Sequence, residues 1–532
     1  MTTTEHSAES IVDGSEVDHL SERVAELSEF YLDLASEILR EAIRIPADYV
    51  DRADDDGGDP RCGLSNHERQ RLEFLKQAIV DIGAVRYADD VSFDEYGNLV
   101  WFVTDPEDGI HPDDKKVVYF DGHTDTVQAL RSTWREKLGG IDAYDGLVDI
   151  DAVDREYLRS ELGHVPPDDE WDHLIFGRGA ADQLAGVVSQ IVATKIALEL
   201  APEGALRGVI IRAYGTVCEE DNDGGGPMYL VKEVLPGATP HLIPDVVILT
   251  EGTGDAYKGA LGIYRGQRGR MQIEVTVTGR SCHGSMPWEG LNPLEHGGAI
   301  IAEAARRYDE RVGFLDDPFL GHGTRTASWS QLDTPSDCAV PDRFTFRFDR
   351  RLTVGEMPDA ALADIDSFDA VKAARTAGLT VDIEVPVYDE VTWNGYTLGN
   401  DQVYMGWTTP ADHPAIQTAS AVYESVVAPN VTETSSDDGG LRKATRVDRW
   451  IFSTDGVGFP IPEDDSSIDV PTTKEWVSEV GFKHPAMFGF GAGIEQNTHK
   501  IGECVDTREL RLAIAFLARF PSAYAHPIAE EL

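Results

Sequence analysis

The chain has 532 residues, 41% of them hydrophobic, enough for roughly two to four domains with real cores. Lysine and arginine total 46 against 95 aspartate and glutamate, a formal net charge of −49. A surface of that sign repels phosphate, which excludes nucleic acid and anionic membranes as partners of the bulk surface and leaves cations welcome. The acidic residues run from Glu5 to Glu531, while the first lysine is Lys76, so the bias belongs to the whole surface. Aromatic and branched residues are too plentiful for disorder. The pattern is that of a halophilic protein, adapted to a cytoplasm of very high salt where self-repulsion is screened within a few Å; the alternative is an unusually acidic mesophilic protein. Five scattered cysteines, Cys62, Cys218, Cys282, Cys338 and Cys504, include no C-x-x-C pair, so no disulfide framework is expected. MTTTEHSAES has neither a basic start nor an apolar centre, and no stretch approaches the ~18 apolar residues of a membrane span. A cytoplasmic protein is expected.

Apolar residues at helical spacing predict an amphipathic helix over 18–44, through Val24, Leu27, Phe30, Leu34 and Ile38. A polar Gly/Pro loop, DRADDDGGDPRCG, follows, then a helix over 67–82 and two strands, GNLVWFVT and KKVVYF. Residues 129–172 are acidic and weakly patterned and read as an inserted surface excursion with one short helix. Alternation then sets in: a helix over 180–200, the strand RGVIIRAYGTV, a helix over 228–234 and the strand DVVILT. This predicts an α/β fold, a mostly parallel sheet with helices on both faces. Beyond Gly269, MQIEVTVTG, a helix over 293–312, TRTASWSQL, DRFTFRFDRRL, a helix over 361–377 and LTVDIEVPVY read β-α-β-β-α-β, one inserted ferredoxin-like α+β unit. A helix over 414–426, RWIFST, AMFGFGAG and a final helix over 508–520 return to the first layer. The division is therefore 1–265 with 396–532, carrying the 129–172 insertion, and 266–395.

Ligands in parallel sheets bind at the carboxyl ends of strands, and five motifs stand there. FDGHTDTV places His123 and Asp125 at the end of a strand, where a carboxylate two residues on can orient the imidazole. GRGAADQLAG places Asp182 at a glycine-rich turn before a helix, a position an ordinary N-cap also fills. In YGTVCEEDNDGG the adjacent Glu219 and Glu220 follow an apolar strand, and neighbouring carboxylates repel unless a cation or proton intervenes. VVILTEGTG and GFGAGIEQNTHKIGE add Glu251 and His499. One zinc would be over-ligated by two histidines and three carboxylates, since catalytic zinc usually takes three protein ligands and a water. Two Zn²⁺ sharing a carboxylate and a hydroxide use the set and balance its charge; Co²⁺ or Mn²⁺ suits the same donors. Glu219 is left over beside the site, as a general base must be.

In this order the motifs resemble those of the M20 metallopeptidases and deacylases, which include acetylornithine deacetylase, succinyl-diaminopimelate desuccinylase and carboxypeptidase G. The resemblance runs from about residue 20 to the end. GIYRGQRGRMQIEV, SCHGSMPWEGLNP, FDRRLTVGE and FSTDGV look closest to a branch of hydrolases linked to selenium metabolism. The resemblance implies a zinc-exopeptidase-like catalytic domain with a lid and dimerisation domain over 266–395. It implies a dimetal site of His123, Asp182, Glu220, Glu251 and His499, bridged by Asp182, with Glu219 as base and Asp125 steadying His123. A cis peptide bond after Asp182 is expected. The resemblance also implies that His283 reaches a neighbouring protomer's site to support the oxyanion, assisted by Asn292, and that Arg351 binds a substrate carboxylate, with Arg350 as the alternative register. Two departures stand out: the segment between Asp125 and Asp182 is long, and Gly502 replaces the family's asparagine before Glu503. The implied function is hydrolysis of an amide bond in a small N-acyl amino acid or short peptide by a homodimer. Alternatives are a dipeptidase or carboxypeptidase, a catalytically silent metal-binding relative, and an acidic cation-binding or nucleic-acid-mimicking protein.

Overall fold

Four apolar strands lie side by side and parallel at the centre of the computed structural model, in the order Val209–Thr216, Lys116–His123, Val246–Leu249 and Ala486–Gly489. The structure describes residues 14–48, 63–147, 151, 153–431, 439–463 and 474–527. The register runs from Lys116 opposite Val209 to His123 opposite Thr216, with Asp121 opposite Leu249 and Leu249 opposite Gly489. All four strands therefore finish at one edge. The margins are mixed. Leu99–Thr104 joins Val209–Thr216 antiparallel, and Ile263–Gln267 joins Ala486–Gly489 the same way. Val447–Trp450 adds a parallel strand beside Ile263–Gln267.

Alternation along Lys116–His123 divides the interior into two layers. Val118 and Phe120 point into the larger core, and Val117 and Tyr119 point into a second one with Leu230, Trp407 and Trp450, as the pleat requires. The helix Ala185–Glu199 is buried on nearly every face, because the sheet and the helices Leu32–Arg44 and Thr507–Ala525 all pack against it; an all-round apolar helix belongs in such a position.

The second sheet is antiparallel throughout, ordered Thr324–Asp333, Arg343–Leu352, Gly269–Thr278 and Thr380–Glu384, with Val403–Tyr404 also on Gly269–Thr278. Its inward residues Ile273, Val275, Phe346 and Phe348 pack on Ile300, Ile365 and Val371 of the helices Pro293–Asp309, Pro358–Asp366 and Asp369–Thr376. This is the α+β unit expected from the sequence.

Three elements differ from the sequence reading. The 18–44 helix begins earlier and runs as Gly14–Phe30 and Leu32–Arg44, which abut at Tyr31. The helix expected over 361–377 is two, because Phe368 takes an extended conformation and drops its ring fully into the core. The 129–172 excursion holds two α-helices, Arg131–Lys137 and Arg155–Glu161, over a small core of its own, with Trp134, Tyr144, Leu158 and Trp171 packed on Phe176 and Cys504. Apolar side chains hidden in an acidic stretch made it look patternless. The 51–62 part of the Gly/Pro loop lies outside the described residues. No helix among the described residues is long and apolar enough to cross a membrane.

Candidate metal centre

Beyond the common edge of the four strands, His123 is buried at the end of its own strand. Its Nε2 lies 2.9 Å from Asp182 Oδ1 and 3.7 Å from Glu251 Oε2. Its Nδ1 lies 3.3 Å from Asp125 Oδ1 and 3.2 Å from the Asp125 carbonyl oxygen. Asp125 does more than face the imidazole. Fully buried, its two carboxylate oxygens accept the backbone N–H groups of Glu219 and Glu220 at 3.1 and 3.0 Å. One aspartate thus orients His123 and seats the turn that presents both glutamates. That turn, Glu219–Asn222, starts after Cys218 in a left-handed conformation.

Asp182 faces both histidines. His499 Nε2 stands 2.9 Å from Asp182 Oδ2 and 3.1 Å from Glu220 Oε2, and the peptide bond from Asp182 to Gln183 is cis. Glu220 Oε1 accepts the N–H of Val127 at 3.0 Å. Glu251 accepts from the Gln183 amide at 2.8 Å. Glu219 Oε2 sits further off, 3.9 Å from His123 Nε2. His123, Asp182 and Glu220 each offer a ligand atom, all within 4.8 Å of one another.

The electrostatics call for a cation. Burial pushes Glu219 and Glu251 well above the usual carboxylate range, and like charges nearby add to it. Burial opposes the charged form of His499, yet the Glu220 carboxylate and the Asp182 hydrogen bond raise it to about 12. Among the described residues no lysine or arginine forms an ion pair with Asp182, Glu219, Glu220 or Glu251. Two imidazoles whose charged forms are held up only by these carboxylates, with no lysine or arginine among them, fit a divalent metal site, since a bound cation would take the place of the imidazole protons.

One feature escaped the motif reading. Arg178 and Glu503, both buried, form an ion pair between the two ligand loops. Glu503 Oε1 accepts the N–H groups of Ala181 and Asp182, each at 3.1 Å, and Arg178 Nη2 reaches the His499 carbonyl at 3.4 Å. The signal was an arginine four residues before Asp182 in a glycine-rich turn.

The remaining expected residues stand elsewhere. No hydrogen bond or ion pair joins His283, Asn292 or Arg351 to the cluster among the described residues. His283 is exposed on the short strand Cys282–His283, and its Nδ1 accepts the Ser285 N–H at 3.1 Å. Asn292 caps the helix Pro293–Asp309, its Oδ1 accepting from Leu294 N at 3.0 Å and Glu295 N at 3.4 Å. Arg351 is held by Asp349 at 2.8 Å and donates to Ser453 Oγ at 2.9 Å. Arg350 is buried against Glu356 at 2.7 Å and braces backbone carbonyls.

Comparison with known proteins bears on the family and the fold. Residues 265–374 match the M20 peptidase dimerisation domain. The uncharacterized protein YgeY of Escherichia coli K12 is 30% identical over 423 residues, 78% of this chain and 86% of that protein. The chain belongs to the M20 family. Another relative of this M20 chain is the succinyl-diaminopimelate desuccinylase of Dechloromonas aromatica, 28% identical over 191 residues, covering 35% of this chain and 47% of that enzyme. The fold matches the di-peptidase Dug1p of Saccharomyces cerevisiae with a TM-score of 0.61 at 12% identity, over 96% of this chain and 100% of that one. An M20 hydrolase with a catalytic α/β domain and an inserted dimerisation domain accounts for both sheets.

Proposed function

We propose that this M20 chain is a two-metal hydrolase that cleaves the amide bond of a small N-acyl amino acid or short peptide. The observation that carries the reading is the convergence of His123, Asp182, Glu220, Glu251 and His499, with Glu219 beside them and paired with no lysine or arginine among the described residues. These five residues would hold two divalent ions, Zn²⁺ or its substitutes Co²⁺ and Mn²⁺, with Asp182 presenting one oxygen to each histidine's side. Such ions, when bound, polarise a carbonyl and make water more acidic. Glu219 takes the proton of the attacking water and delivers it to the leaving nitrogen, a role that suits a carboxylate raised by burial. Asp125 keeps His123 and the Glu219 turn in register.

The dimerisation domain supports a homodimer in which His283 of a second copy completes the site. The Ser285 N–H fixes Nδ1 as an acceptor, so the neutral imidazole carries its proton on Nε2, where it can donate to an oxyanion. Arg351 and Asn292 belong to the substrate side of this reading. The domain limits proposed are 1–265 with 396–532 and 266–395, the returning chain still pairing Val403–Tyr404 with Gly269–Thr278 as it crosses, in a halophilic cytoplasmic enzyme. The desuccinylase relative favours an acyl substrate; the fold shared with a dipeptidase keeps peptide cleavage as the second reading.

Metal content by mass spectrometry on protein purified at high salt, paired with hydrolysis of N-acyl amino acids and dipeptides before and after chelation, tests this. Two metals per chain and chelator-sensitive cleavage are expected, and the better substrate class decides between the readings. No metal recovered on adding Zn²⁺, Co²⁺ or Mn²⁺ would overturn it.

A further inference from the structure

The edge of the main sheet opposite the candidate metal centre carries a polar cavity. Lys116–His123 has eight residues, so at about 3.3 Å per residue its two ends stand roughly 23 Å apart. Near the starting end, a cavity of about 570 Å³ opens between the first helix, the loops around Asp105 and Glu203, and the last helix; His19, Arg207, Arg519 and His526 line it as well.

Arg519 is the unusual member. It is 2% exposed, and its Nε and Nη1 donate to Ser21 Oγ at 3.1 Å and Ser522 Oγ at 2.8 Å. Among the described residues, neither a carboxylate nor any acceptor for Nη2 lies within reach. Burial alone brings its pKa down, to about 10. An arginine buried without a counter-ion costs stability, and a chain with 95 acidic and 46 basic residues does not lack counter-ions. Arg207, exposed at the cavity rim, also has no carboxylate partner among the described residues. The acids on the same wall are engaged. Asp108 pairs with Lys115 at 2.9 Å, both nearly inaccessible, and Glu203 lies 3.5 Å from His19 and 3.6 Å from Arg23, which Glu26 also holds at 2.6 Å. Among the described residues the Asp105 carboxylate has no basic side-chain partner there, its Oδ1 accepting the N–H of Glu107 at 3.0 Å. The cavity thus presents two arginines without carboxylate partners among the described residues, in a strongly acidic molecule.

We infer that this recess binds a small metabolite through an oxyanion group, carboxylate or phosphate, with Arg519 as the buried counter-ion and Arg207 as its partner at the rim. A guanidinium fork suits both groups, as two parallel N–H···O bonds. The volume admits a molecule larger than the bare ion. Because Arg519 also donates to Ser21 on the first helix, the ligand would join the two ends of the described chain.

Isothermal titration at constant high KCl, with citrate and inorganic phosphate as separate probes, tests the assignment. One saturable site per chain is expected for at least one probe, and which probe binds names the group recognised. R519Q should weaken binding at least ~tenfold while amide hydrolysis stays at the wild-type rate. R207Q, at an exposed position, should weaken it severalfold and carries the test if R519Q does not fold. No saturable heat with either probe, or equal affinity in wild type and folded variants, would overturn the site.

Discussion

Glu219 and Glu220 are neighbours in sequence with different surroundings. Glu220 is committed through both oxygens, to Val127 N–H and to His499, whereas Glu219 lies 3.9 Å from the nearest histidine nitrogen. Glu219→Gln should therefore cut kcat by about 10² to 10⁴ with two metals retained, and Glu220→Gln should lose metal. Metal analysis beside kcat reads both at once; the reverse pattern would exchange their roles. The pair Arg178–Glu503 gives a stability test. Glu503→Gln leaves Arg178 buried without its carboxylate, while the amide oxygen can still accept the N–H groups of Ala181 and Asp182. A loss of about 3 to 5 kcal/mol is expected by denaturant unfolding. The candidate ligands were legible in two ways. His123 ends its strand, and Glu220 and Glu251 follow theirs within four residues, where an apolar run stops at a polar residue; Asp182 and His499 stand in turns and loops, marked by their motifs rather than by a strand end. The Arg178–Glu503 tie was not legible, since its partners are 325 residues apart and an arginine in a glycine-rich turn does not say which carboxylate it meets.

Element boundaries were legible where periodicity was strong and lost where a single buried side chain redirected the backbone, as Phe368 does. Close approaches were invisible. Gly489 ends a central strand, and a Cβ there would stand 1.8 Å from Trp450 Cη2, on a fully buried ring. Gly489→Ala should destabilise by about 1 to 3 kcal/mol or more, with a matching fall in the unfolding midpoint; an unchanged midpoint would mean the Trp450 ring can move aside. At the lid helix Pro293–Asp309 the question is whether Asn292 does more than cap. Asn292→Ala should lose about 1 kcal/mol, and Asn292→Asp should restore it, because an aspartate oxygen accepts the same N–H groups. If KM recovers with stability, Asn292 serves only the helix. A KM that stays raised in the aspartate variant assigns the side-chain amide to substrate.

At the scale of the molecule, charge decides the conditions under which this fold survives. A net charge of −49 makes the compact state self-repelling, and the unfolded chain relieves that repulsion by expanding. Many of the ion pairs are exposed ones, such as Arg69–Glu73 and Arg306–Glu310, each worth little and weakened further by salt. The two effects have opposite signs. Screening removes repulsion among the many unpaired carboxylates and also loosens the few surface pairs, and with 95 acidic residues against 46 basic ones the first must dominate. The unfolding midpoint should therefore rise with KCl. Pure screening would bring most of the gain below about 1 M, where the Debye length has fallen to about 3 Å. A rise that continues beyond that concentration would mean the surface carboxylates also hold hydrated potassium in the folded state, because only binding, not screening, goes on responding to added cation. Thermal unfolding followed across a KCl series, repeated with tetramethylammonium chloride at equal ionic strength, separates the two. Matching curves assign the effect to screening, a steeper potassium curve assigns it to specific cation binding, and a midpoint that falls with salt would show that the exposed ion pairs, not the excess acid, govern stability.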